Sequence, residues 1–349
     1  MATHRYFVVA ALFTIIGLSL GTWIGYFYKG TLDGALEALF ICGFLSVLEI
    51  SLSFDNAIVN AKVLDTMAPK WQRRFLTWGI VVAVFGMRII FPLAIVAVAA
   101  HLNPVQALLM AAERPAAYAH AMEEAHLPIS AFGGAFLLMV ALKFFFDSEK
   151  DVHWLAPFER SLSHFGKVQG IQIGIVLLFI LISAWFLPDA KWVTFVRPAI
   201  WGLITFLAVE ALSHLLDKPQ AADTMHKAGF GAFLYLEMLD ASFSFDGVVG
   251  AFALSSNLFI IAIGLGIGAF YIRSLTIMLV EKRTLTEYRY LEHGAFYAIL
   301  ALGLIMFAQA HVHIPEVVTG LIGAVLIVAS FASSIAFNRR KKQHADADI

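Results

Sequence analysis

The sequence predicts an all-α, polytopic membrane protein of about ten transmembrane helices containing two inverted three-helix repeats. Three observations carry that expectation. Apolar residues make up 60% of the 349-residue chain and charged residues only 14%, where a soluble domain carries about 25% charged residues; the mean hydropathy is +0.81. The apolar residues gather into runs of membrane length, about 20 residues for a helix. The basic residues collect in alternate connections between those runs.

Ten runs meet the length rule: 6–28, 35–60, 76–100, 129–147, 170–187, 193–216, 229–254, 256–280, 291–310 and 316–337. The first, behind His4-Arg5, is too long for the apolar core of a signal peptide and lacks a small-x-small cleavage site, so it reads as a retained span. Between the third and fourth runs, residues 101–128 are Ala-rich and carry Glu113, Glu123 and Glu124 against Arg114. They read as a solvated connector in preference to an amphipathic helix on the outer face. Lys143 lies at the end of the fourth run, where its stem snorkels. Glu210 and His214, four apart in the sixth, read as a local hydrogen-bonded pair rather than a proton path. His311 and His313 follow the ninth run at a spacing that shares no helical face, which argues against a metal-ligand pair.

Of the 24 Lys and Arg residues, 17 fall in the even-numbered connections and the two tails, 4 in the odd-numbered connections, and Arg88, Lys143 and Arg273 lie within runs. The positive-inside rule then puts both termini in the cytoplasm, and the expected location is the plasma (inner) membrane, as a multi-pass protein. A net charge of −1 supplies no field to recruit nucleic acid. The single cysteine, Cys42, excludes an internal disulfide and a Cys-rich zinc site and reads as a packing residue.

Two acidic stretches inside this apolar chain match one another. Residues 48–60 read LEISLSFDNAIVN and residues 236–252 read LEMLDASFSFDGVVGAF. Laid over one another, they pair Glu49 with Asp240, Ser53 with Ser244 and Asp55 with Asp246. The match extends beyond the acids. The run after each copy holds an arginine, Arg88 or Arg273, and the next opens on Gly134-Ala135-Phe136 or Gly294-Ala295-Phe296. Within one membrane domain, 1–349, residues 34–147 and 229–310 therefore read as two three-helix repeats. Residues 148–228 join them with two additional spans, 316–337 is the last span, and 338–349 is a basic cytoplasmic tail. The second and seventh runs are five apart and cross in opposite directions, an inverted repeat of the kind that places a transporter's substrate at the midplane.

A carboxylate at the bilayer centre costs roughly 2.5–3.5 kcal/mol on insertion scales. At 100° per residue, Glu49, Ser53, Asn56 and Asn60 fall within about 60° of one another, while Asp55 points about 120° from Glu49. Either each carboxylate serves a different contact, or the helix unwinds near 51–55 and 242–246; the serines and the glycine favour a distorted helix. Glu237 joins Asp240 on one face. Glu49, Asp55, Glu237, Asp240 and Asp246 then face only Arg88 and Arg273 as permanent cations. Five carboxylates against two guanidiniums require protonation or a bound cation. Oxygen ligands suit Mn²⁺, Mg²⁺ or Ca²⁺ rather than Zn²⁺ or Cu⁺, with Asn56 and the Ser53 and Ser244 oxygens completing the shell. Protonation between loading events supplies a natural proton exchange. No His-Glu-x-x-His or Gly-x-Ser-x-Gly occurs, which weighs against a hydrolase, and no organic cofactor is expected. A non-transporting membrane scaffold in metal or tellurite stress and a Ca²⁺/H⁺-type exchanger stand as alternatives.

Glu49-x-x-x-Ser53-x-Asp55-Asn56 resembles the first signature of the TerC family, integral membrane proteins named for tellurium resistance. Glu237-x-x-Asp240-x-x-x-Ser244-x-Asp246 is similar to its second. The resemblance implies a LysE-type bundle of inverted three-helix repeats that exports divalent metal, manganese above all. The chain departs from that family in its spans at 6–28 and 170–216, and in Gly247 where relatives commonly carry serine.

Overall fold

The computed structural model describes residues 3–347 apart from 169, 217–228 and 253. The side chains of 3, 76, 80, 99, 214, 216, 245, 246, 249, 316, 342 and 344–347 also lie outside the description. The chain is 85% helical, and there is no strand among the described residues. A 3-10 turn, Thr3–Phe7, leads into α1 (Val8–Lys29), followed by α2 (Leu32–Leu52), α3 (Phe54–Thr66) and α4 (Pro69–Val81). A π-helical stretch, Val82–Ile90, joins α4 to α5 (Phe91–Ala99). Then come α6 (Pro104–Glu113), α7 (Pro115–Glu124), α8 (His126–Phe145), α9 (Ala156–Phe165), α10 (Ile171–Trp185) and α11 (Asp189–Leu216). The chain ends with α12 (Phe230–Ala251), α13 (Leu258–Glu281), the single turn α14 (Thr284–Glu287), α15 (Leu291–Ala308) and α16 (Glu316–Ala347).

Among the described residues seven helices are long and apolar enough to cross a membrane, or eight when the bent pair from Pro69 to Val98 counts as one span. The other two of the ten expected spans are helical as well. α10 has 15 residues, about 22 Å at 1.5 Å per residue, which is short of a 30 Å hydrocarbon core. α12 has the length, but it carries three carboxylates. The molecule is thus a multi-pass, all-helical membrane protein.

α13 lies at the centre and packs on α1, α2, α3 and the π-helical stretch. α15 is clasped between α8 and α16, and α11 runs along α8. One apolar core fills the space among α3, α8, α11, α12 and α15, with Phe136, Phe145, Phe195 and Phe206 buried in it.

A second, smaller core corrects the reading of 101–128 as a solvated connector. Pro104 and Pro115 open α6 and α7, where a missing N–H costs nothing. Asn103 and Gln106 form a capping box on α6. Ala107, Ala111, Tyr118 and Met122 are then buried against Leu45, Val96, Val248 and Leu258. Alanine's small side chain lets these short helices approach the bundle closely, so the Ala-rich composition marks packing rather than solvation.

Candidate functional site

The helix expected over 35–60 breaks at one residue. α2 ends at Leu52, α3 begins at Phe54, and Ser53 between them has φ −100° and ψ 16°. The Ser53 hydroxyl donates to Glu49 Oε1 at 2.9 Å, one turn back, and such local side-chain bonds compete with the regular helix. Asp55 falls in the first turn of α3, where free N–H groups favour an anion; Asn56 N donates to Asp55 Oδ1 at 2.9 Å.

The second copy does not break. α12 runs through 242–246 as continuous helix, against the distortion expected there. Ser242 donates to the Met238 carbonyl at 2.9 Å, within the helix. Asp240 stands where the first copy has Glu49 and is one methylene shorter. It accepts from Asn56 Nδ2 at 2.6 Å instead of from Ser244, and Ser244 Oγ has no partner. Nothing pulls the second serine out of the helix.

Arg88 comes from the π-helical stretch. Pro92 has no N–H to offer the preceding turn, and its ring would crowd the Arg88 carbonyl, so the widened turn relieves both. The Arg88 guanidinium bonds Glu49 Oε1 through Nη2. Its Nη1 donates to the Ala83 carbonyl at 3.1 Å and stands 3.9 Å from Asp240 Oδ2. Arg88, Glu49, Asp55 and Asn56 are all buried. α13 reaches Glu49 because residue 268 is glycine: a Cβ there would lie 2.5 Å from the Glu49 Cβ and Cγ.

Arg273, also on α13, stacks its guanidinium 3.9 Å over the Phe75 ring. Gly79 of α4 leaves room for it, since a Cβ there would stand 2.7 Å from Arg273 Nη2 and 3.2 Å from Glu237 Oε1. Phase and composition do not single out Phe75 or Gly79 in the sequence; the signal is a buried arginine that must meet something on a neighbouring helix.

Glu49, Ser53, Asn56, Asn60, Arg88, Glu237, Asp240 and Arg273 all line one cavity of about 30 Å³, room for an ion or a water. Three carboxylates face two guanidiniums there. Buried atoms without a hydrogen-bond partner include the acceptors Asn56 Oδ1, Asn60 Oδ1 and Glu237 Oε1, and the donors Arg88 Nε, Arg273 Nε and Arg273 Nη2. Asp55 is not in this cavity. It lines a second, of similar size, with Gly247 and Thr319, and Glu49 and Ser53 belong to both. Ser244 lines neither. The side chain of Asp246, the counterpart of Asp55 in the second acidic stretch, lies outside the described residues. Among the described residues, no three His, Cys, Asp or Glu side chains converge as a metal set.

The other described side chains singled out in the sequence lie away from the two cavities. Lys143 forms an ion pair with Glu210 rather than simply snorkelling, and the His214 side chain is outside the description. His311 bonds Ser183 across 2.9 Å. Cys42 is buried, with its thiol 3.5 Å from the Ile260 carbonyl.

A second polar cluster, unremarked in the sequence, centres on Glu159. Fully buried, it accepts from Lys150 Nζ at 3.0 Å, from the Trp154 and Leu155 amides at 3.2 Å, and from the Tyr297 hydroxyl at 3.3 Å. His293 Nε2 stands 3.3 Å away. Burial alone raises its pKa, but the His293 and Lys150 contacts outweigh it and bring the value down to about 2. The cluster ties the 146–156 connection to α15.

No curated protein and no solved structure matches the chain. A family model matches residues 54–341, from α3 through most of α16, and the chain belongs to that family, described as a protein of unknown function, DUF475.

Proposed function

We propose that the chain is a transporter that exports a divalent cation, Mn²⁺ first with Ca²⁺ and Mg²⁺ as alternatives, in exchange for protons. The observation that carries this reading is the first cavity. Three buried acceptor oxygens without partners, Asn56 Oδ1, Asn60 Oδ1 and Glu237 Oε1, border a space whose carboxylates outnumber its guanidiniums. An all-oxygen donor set with surplus negative charge is selective for hard cations. The two arginines hold the carboxylates when the cation is absent and limit how tightly it is held, as release requires.

The acidic stretches on α2–α3 and α12 meet at this cavity, in keeping with two inverted repeats around a midplane site. The resemblance of the two acidic stretches to the TerC signatures supports the same cargo. Both termini are placed in the cytoplasm by the basic residues, in the plasma (inner) membrane. Transport rather than catalysis is the activity, and no organic cofactor takes part. Mn²⁺ uptake into everted vesicles carrying the intact chain, compared with vesicles lacking it, tests the reading.

A further inference from the structure

Glu49 and Ser53 form the wall between two cavities, and the second has its own ligand chemistry. α12 lines the first with Glu237 and Asp240 and the second with Phe243 and Gly247, further along the same helix. At 1.5 Å per residue the two sets of α12 residues lie about 10 Å apart along that helix. The two oxygens of Glu49 divide between them. Oε1 takes Arg88 and Ser53, while Oε2 faces the second cavity, 3.3 Å from where a Cβ on Gly247 would stand. In that cavity the buried Asp55 keeps its carboxylate at the head of α3, and Thr319 Oγ1 is buried with no partner. Among the described residues no guanidinium lines it.

We propose that cations occupy two subsites in series, the second built from Asp55, Thr319 and the Oε2 of Glu49, with Glu49 shared as the bridge between them. The inference rests on the cation-transport reading and adds a second ion position on the path. A hard, oxygen-liganded cation suits the second subsite as it does the first. The subsites differ in charge environment: the first carries two arginines and the second none, so an ion stepping between them exchanges guanidinium neighbours for a hydroxyl.

The test is a titration of the purified full-length chain with Mn²⁺, with free ion followed by electron paramagnetic resonance and each variant checked for monodispersity and helix content. The wild type is expected to bind two ions. Asp55→Asn is expected to lose one of them, and Thr319→Val to weaken the same one at least tenfold. Asp240→Asn should weaken the other and spare that one. If the wild type binds a single ion that Asp55→Asn and Asp240→Asn both abolish, the cavities are one site and the proposal fails while the transport reading stands. Were the wild type to bind no Mn²⁺, the transport reading would fall and the second subsite with it.

Discussion

Arg88 and Glu49, 39 residues apart in sequence, meet as a buried ion pair in which the Arg88 Nη2 donates to the same carboxylate oxygen that accepts the Ser53 hydroxyl. Both side chains are 3% exposed. The attraction of such a pair is set against the desolvation of both ions, so its net contribution is small, but loss of one partner leaves an uncompensated charge. Arg88→Met is therefore expected to destabilise the folded chain by about 3–5 kcal/mol. Adding Glu49→Gln should recover part of that loss. A thermal-unfolding series on the two single variants and the double variant checks it; strictly additive losses would mean that the residues do not act as a pair.

Gly268 and Gly79 offer a contrast in how tightly the site is packed. A Cβ at 268 meets the stem of Glu49 at 2.5 Å, whereas one at 79 meets the far end of Arg273 at 2.7 Å. The Glu49 stem is fixed by its helix; a guanidinium tip shifts at little cost. Gly268→Ala is expected to cost about 1–3 kcal/mol by overpacking, and Gly79→Ala distinctly less. Equal losses of melting temperature in the two variants would contradict the close approach of α13 to α2.

Glu159 sets an acid limit on stability. Its pKa lies near 2 in the fold, against an ordinary 4.5. A depressed carboxyl contributes stability that is complete above the unfolded value and is lost as pH falls through the folded one. The melting temperature of the wild type should therefore drop between about pH 4.5 and pH 2 more steeply than that of Glu159→Gln. At neutral pH the Gln variant should be the less stable, by about 3–5 kcal/mol, because the buried Lys150 ammonium loses its anion. Parallel pH profiles for the two proteins would refute the role.

Much of this arrangement is legible in the sequence. The 120° offset between Glu49 and Asp55 foretells that Asp55 turns away from the first cavity, and the phase of Glu49, Asn56 and Asn60 their convergence in it. The break at Ser53 falls within 51–55, where the serines favour a distorted helix. What the pattern conceals is reach: Asp240 matches Glu49 in position yet falls a methylene short, so the second copy keeps its helix. The packing of α6 and α7 was hidden because alanine reads alike in a connector and in a close helix contact. Glu159 left no trace, since its partners include His293 and Tyr297, more than 130 residues away.

The distribution of basic residues predicts an orientation that labelling can read. With the native cysteine replaced, cysteines at 123 and 191 should react with an impermeant thiol reagent in intact cells, and those at 73 and 283 only after permeabilisation. Labelling of position 73 from outside would reverse the topology and remove the inverted relation between the two acidic stretches.

The central claim is that buried carboxylates carry a divalent cation across the membrane, and transport by charge-neutral variants tests it most directly. Asp240→Asn and Asp55→Asn keep size and hydrogen-bonding capacity while removing one charge each. In everted vesicles carrying equal amounts of inserted protein, Mn²⁺ uptake should fall to the level of empty vesicles in both, with Ser53→Ala milder. Wild-type rates of Mn²⁺ uptake in the two Asn variants would place the site elsewhere and leave the acidic stretches as architecture alone.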